Sequence, residues 1–207
     1  MKPLPRLYAI ADASFGDPSK LAHALFDGGV QLLQVRNKEA SARRLFDQVE
    51  EIIKMAPADA CVIVNDRVDI ALTAGAAGVH LGQNDLPAAA ARYILGNDSI
   101  VGFSTHSLPQ ALEADNLPVD YLAVGPIFAT STKPNADPVV GLEGLTSICK
   151  VVQKPVVAIG GIQLENVRAV FDAGAHSVAV IRGLLSASDV EARVLQWIQI
   201  MRSLSAG

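Results

Sequence analysis

Eight times along 207 residues a short apolar run, often β-branched, gives way to a stretch with helical periodicity. The runs are Leu7–Ala11, Leu32–Val35, Ala60–Val64, Gly78–Leu81, Ile100–Phe103, Tyr121–Val124, Val156–Ile159 and Val178–Ile181. Helical patterns follow at Pro18–Asp27, Ala42–Lys54, Val68–Ala74, from Pro87, Leu108–Ala114, Leu142–Val152 and Leu164–Ala173. After the eighth run come Gly183–Leu185 and an amphipathic stretch over Val190–Leu204. Strands that are apolar on both faces, each followed by a helix, belong to a parallel sheet covered on both sides. Eight such units in so short a chain predict one α/β domain, a closed (β/α)8 TIM barrel spanning residues 1–207 with few insertions. An open doubly wound sheet has no need for eight units. Local punctuation agrees: Ser41 suits an N-cap, Pro87 a first helical turn, and Gly28-Gly29 and Gly75 are stops.

Composition narrows the functional classes. Half of the residues are hydrophobic, enough for a sizeable core, and a net charge of −4 gives no reason to expect a nucleic acid partner. No apolar run approaches the roughly 18 residues that cross a bilayer, so no membrane partner is expected. The opening MKPLPRLYAIADA is broken too early for a secretion signal. Cys61 and Cys149 lack any CxxC or histidine spacing and read as small core residues in a reducing compartment. The expectation is a cytoplasmic protein whose partners are small molecules, with the oligomeric state left open.

In a barrel of this type the active site lies at the C-terminal ends of the strands. Gln34, Arg36 and Lys38 are spaced by two at the end of the second strand, so an amide and two cations share one face. A solvated strand end is the ordinary reading, but Leu32, Leu33 and Val35 make the segment a buried one, where charges need partners. Asp66 and Asp85 end the third and fourth strands and could share Mg²⁺, which commonly takes one or two carboxylates with waters and a substrate phosphate. Each alone reads better as a helix cap. Asn65 and Ser104 also fall at strand ends. The sixth strand leads into Thr130, Ser131, Thr132 and Lys133, hydroxyls beside an ammonium that suit an anion, and then a proline-containing loop to Gly141. Gly160-Gly161 and Ile181-Arg182-Gly183 end the last two strands, where barrels often bind phosphate. His80 and His106 read as structural, lacking a triad or a third metal ligand. The mouth thus offers one pocket for a diphosphate with Mg²⁺ and another for a phosphate monoester. With no evident general base, displacement of pyrophosphate is expected rather than hydrolysis.

These residues resemble the thiamine-phosphate synthase (thiamine-phosphate pyrophosphorylase) family. The resemblance rests on QVRNK at Gln34–Lys38, NDRVDIAL at Asn65–Leu72, GVHLGQND at Gly78–Asp85, GFSTH at Gly102–His106, GPIFATSTK at Gly125–Lys133, GLEGL at Gly141–Leu145 and AIGGI at Ala158–Ile162. It runs from Leu7 to about Leu204. It implies a (β/α)8 barrel that couples 4-amino-5-hydroxymethyl-2-methylpyrimidine diphosphate to a thiazole phosphate, giving thiamine phosphate and pyrophosphate. It further implies that Gln34, Arg36, Lys38, Asn65, Ser104 and Lys133 hold the pyrimidine diphosphate, with Arg36, Lys38, Lys133 and Ser104 as the catalytic set. Asp66 and Asp85 would ligate Mg²⁺. Thr130, Thr132, Gly161, Ile181 and Arg182 would face the thiazole phosphate. One residue departs from the family pattern: Arg182 stands where a serine is usual. The rival readings are a thiazole tautomerase-type paralogue and a non-catalytic thiamine phosphate binder.

Overall fold

The computed structural model describes residues 4–130 and 138–205. Eight parallel strands close in sequence order: β1 (Leu7–Asp12), β2 (Leu32–Arg36), β3 (Cys61–Asn65), β4 (Gly78–Leu81), β5 (Ile100–Thr105), β6 (Tyr121–Val124), β7 (Val156–Ile159) and β8 (Ser177–Val180). Closure pairs β1 with β8, Leu7 opposite Val178 and Ala9 opposite Val180. Outside lie α1 (Pro18–Asp27), α2 (Ala42–Met55), α3 (Val68–Ala74), α4 (Ala88–Leu95), α5 (Leu108–Asp115), α6 (Gly141–Cys149), α7 (Val167–Asp172), α8 (Arg182–Leu185) and α9 (Val190–Ser205). The eight-unit expectation is met, and no described helix is long and apolar enough to cross a membrane.

Local chemistry explains the boundaries. Asp17 caps α1 by accepting from the Ser19 and Lys20 amides, with Pro18 opening the helix. Ser41 accepts from the Arg44 amide at the start of α2, and Gly75 closes α3 in the left-handed region at φ 72°. Several expected boundaries move by one to three residues, among them the end of α6 at Cys149, and two of the shifts have a local cause. Pro87 stands just ahead of α4, with ψ 136°, and the helix begins one residue later. α7 starts at Val167 because residues 164–166 form a turn instead. There Asn166 accepts from the Gln163 amide (2.8 Å) and donates to the Gly161 carbonyl (3.1 Å).

The core fills the barrel and the layer between strands and helices. Leu32, Ile63, Leu81 and Leu122 are fully buried. α9 contributes Trp197, also fully buried, whose Nε1 donates to the Gly183 carbonyl at 3.3 Å. The last helix is thereby tied to the turn that follows β8. Truncating such a side chain costs about 3–5 kcal/mol.

Candidate active site

The strand ends surround a cavity of about 400 Å³ at the C-terminal face of the barrel. Its wall brings together most of the residues singled out in the sequence. Gln34, Arg36 and Lys38 line one side with Asn65, Asp66 and Asp85, and Ser104 stands on β5. Thr130, Gly161, Ile181 and Arg182 line the rest. Thr132 and Lys133 lie outside the described residues, as do Ser131 and residues 134–137 of the loop.

Arg36 at the end of β2 reaches across to β1. Its Nη1 donates to Asp12 Oδ2, and the other Asp12 oxygen accepts from the Ser14 amide (2.9 Å) and hydroxyl (2.7 Å). Asp12 is only 2% exposed, so the guanidinium is held by a carboxylate that cannot turn away to water. The remaining Arg36 N–H groups make no hydrogen bond among the described residues. They stay available to an anion in the cavity.

The two aspartates are neighbours. Asp66 adopts φ 63°, a left-handed conformation that aspartate tolerates, with its amide fixed on the His80 carbonyl at 2.9 Å. Its carboxylate pairs with Lys38 Nζ at 3.0 Å. Asp85 accepts from the Gly82 amide at 2.6 Å. Neither side chain caps the helix that follows it. Burial holds the Asp85 carboxyl above the usual carboxylate range; the Gly82 amide opposes this, and the nearby Asp66 carboxyl adds to it. Two adjacent carboxylates balanced by one half-exposed lysine leave room for a divalent cation. No group of three or more histidine, cysteine or acidic residues that could hold a metal occurs among the described residues. Mg²⁺ commonly takes one or two carboxylates and completes its shell with water and substrate oxygens.

On the other side the turn after β7 is pressed against the chain that leaves β6. The Ile127 and Phe128 amides donate to the Ile159 and Gly160 carbonyls at 2.9 and 3.0 Å. A Cβ on Gly161, which has φ 66°, would meet Phe128 Cβ at 2.7 Å and the Ala129 carbonyl at 2.8 Å. Glycine is the residue that lets this backbone line the cavity. Arg182 opens α8 at the rim, exposed, with its guanidinium 5.5 Å from the Phe15 ring centroid.

Sequence reasoning missed Tyr8, Asp12 and Tyr121, and left His80 and His106 as structural. All but Asp12 and Tyr121 line the cavity. His106 Nδ1 donates to the Gly125 carbonyl at 2.6 Å, and His80 bonds Tyr121 and Ser104. The available signal was parity: Tyr8 and Asp12 flank Ile10 at steps of two, on the strand face that looks inward.

Residues 7–184 match the family model of thiamine monophosphate synthase. A thiamine-phosphate synthase of Koribacter versatilis is 49% identical over 207 residues, covering 97% of each chain. One from Chloroflexus aurantiacus is 43% identical over 195 residues, covering 92% of this chain and 90% of its own. A solved thiamine phosphate pyrophosphorylase from Pyrococcus furiosus superposes with a TM-score of 0.88 at 36% identity, covering 96% of both chains. The chain belongs to the thiamine monophosphate synthase family.

Proposed function

We propose that this thiamine-phosphate synthase joins an aminopyrimidine diphosphate to a thiazole phosphate, with Mg²⁺ held by Asp66 and Asp85. The observation that carries the reading is the single cavity in which Arg36 and Lys38 adjoin that carboxylate pair while the Gly161 and Ile181-Arg182 turns stand across from them. The bond that breaks joins the pyrimidine methylene carbon to the diphosphate oxygen. The bond that forms joins the same carbon to the thiazole nitrogen. No proton has to be removed from the nucleophile, so the reaction needs no general base.

Charge then does most of the catalysis. Arg36, steadied by Asp12, presents its unused N–H groups to the leaving diphosphate. The Lys38 side chain is 52% exposed, so it can exchange Asp66 for a phosphate oxygen. Lys133 adds a third cation from the sequence pattern. Bound Mg²⁺ supplies further positive charge against the developing pyrophosphate. Gln34, Asn65 and Ser104 orient the pyrimidine. Thr130, Thr132, Gly161, Ile181 and Arg182 hold the thiazole phosphate in line with the carbon under attack. A cytoplasmic location belongs to the same reading, supported by two cysteines present as free thiols.

The test combines purified protein, both substrates and Mg²⁺, and oxidises any thiamine phosphate to fluorescent thiochrome. Product is expected, and it should disappear with EDTA and in Asp66→Ala. Folded protein that makes no product would overturn the reading in favour of a tautomerase or a binder. Product that survives EDTA would overturn the metal assignment alone.

A further inference from the structure

Gln34 on β2 and Ser104 on β5 both line the cavity and are joined by an unbroken chain of hydrogen bonds, buried except for the last link. Gln34 Nε2 donates to the Tyr8 hydroxyl at 3.0 Å, and the Tyr8 and Tyr121 hydroxyls are 3.0 Å apart. Tyr121 Oη meets His80 Nδ1 at 2.9 Å, and His80 Nε2 meets Ser104 Oγ at 2.9 Å. The register explains how the chain closes. His80 and Tyr121 are both opposite Gly102, one on each neighbouring strand, and their rings stack at 5.6 Å across it. A Cβ at Gly102 would collide with both rings.

Counting hydrogens fixes the direction of the chain. With the Gln34 amide nitrogen on Tyr8, the single Tyr8 hydrogen goes to Tyr121, and the Tyr121 hydrogen goes to His80 Nδ1. A neutral His80 then carries its hydrogen on Nε2 and donates to Ser104 Oγ. The Ser104 hydrogen is left for an acceptor in the cavity. Gln34 Oε1, which has no hydrogen bond among the described residues, is left for a donor. Turning any one link requires turning all of them, so the two walls switch together or not at all. Burial pushes both phenols well up from their ordinary range, which keeps their hydrogens in place.

We propose that Tyr8, Tyr121 and His80 are positioning residues that lock the hydrogen-bond polarity of Gln34 and Ser104 as one unit. The locked unit selects a pyrimidine with an acceptor ring nitrogen and a donor amino group. The 4-oxo counterpart turns the exocyclic group into an acceptor facing Gln34 Oε1 and moves a hydrogen onto the ring. This inference rests on the proposed function. Tyr121 is fully buried and does not line the cavity, so it acts through its neighbours and not by touching substrate.

The experiment compares kcat/KM for the 4-amino and 4-oxo pyrimidine diphosphates in the wild type, Tyr121→Phe and Tyr8→Phe, with Mg²⁺ and saturating thiazole phosphate. The wild type should prefer the amino compound by about 10³-fold or more, as expected of a site built to hydrogen-bond its substrate. Each variant breaks the chain at a different link and should lower that preference about tenfold. The KM for thiazole phosphate should stay unchanged. General loosening of the barrel lowers both kcat/KM values alike and leaves their ratio intact. An intact ratio in either folded variant overturns the inference. Wild-type protein that makes no thiamine phosphate overturns the proposed function itself, whereas an active wild type with ratio-neutral variants removes only the role of the chain.

Discussion

Two arginine–aspartate pairs stand at opposite ends of the barrel, and their difference separates scaffold from site. Arg92 on α4 and Arg36 on β2 are nearly equal in exposure, 14% and 17%. Arg92 spends its donors on the scaffold. It bonds the Pro118, Gly96 and Ser99 carbonyls and Asp120 Oδ2, and that same oxygen accepts from the Val101 amide. Arg36 gives one donor to Asp12 and keeps the others for the cavity. Similar burial therefore conceals opposite uses: one guanidinium makes four hydrogen bonds to protein, while the other is anchored by one and left largely unsaturated.

Substitution should break the likeness most sharply. Arg36→Lys keeps the charge but loses the fork that spans Asp12 and the diphosphate, so kcat/KM is expected to fall about 10²-fold with little change in stability. Arg92→Ala should do the reverse, losing about 2–3 kcal/mol in urea denaturation while turnover per folded molecule is kept. Similar activity losses in the two would end the distinction. Arg182 sharpens it at the rim, where the guanidinium lies over the Phe15 ring. Arg182→Ala is expected to raise the thiazole phosphate KM about tenfold with kcat nearly unchanged, by loss of a charge-assisted contact. An unchanged KM removes Arg182 from phosphate binding.

The smallest effect concerns Asp85. Its carboxyl is raised in the folded protein, so the folded state binds a proton that the unfolded chain has already released. Through that window, just above the ordinary carboxylate range, ion-free protein loses stability as pH rises. The proposed Mg²⁺ would have to displace the same proton, so its affinity is expected to rise over the same window. Melting curves with and without Mg²⁺ from about pH 4 to about pH 7 should show a stabilising increment that grows with pH. A flat increment would argue against Asp85 as a ligand.

Much of this is legible in the sequence alone. Buried parallel strands such as Val156–Ile159 announce themselves as continuous apolar runs, and Asp66 and Asp85 stand out as charges at the ends of two of them. Arg36 was visible for the same reason. Its anchor Asp12 was not, because the contact joins two strands and depends on which residues of β1 and β2 come level. Tyr8 and Tyr121 lie 113 positions apart, and each alone reads as an ordinary core aromatic. Only the closed register brings their hydroxyls together. The α7 boundary was missed because Asn166 takes backbone bonds that a helical turn would have used.

The seam of the barrel sets a condition on how the chain is made. Ser177 donates to the Pro5 carbonyl across 172 residues, and β1 finds its second neighbour only in β8. A ribosome releases β1 long before β8, so for most of synthesis one edge of the growing sheet has no partner. The cavity wall formed by the turn after β8 waits longer still, because that turn is braced by Trp197 on α9. A nascent chain stalled before α9 is therefore exposed to aggregation before it can gain activity.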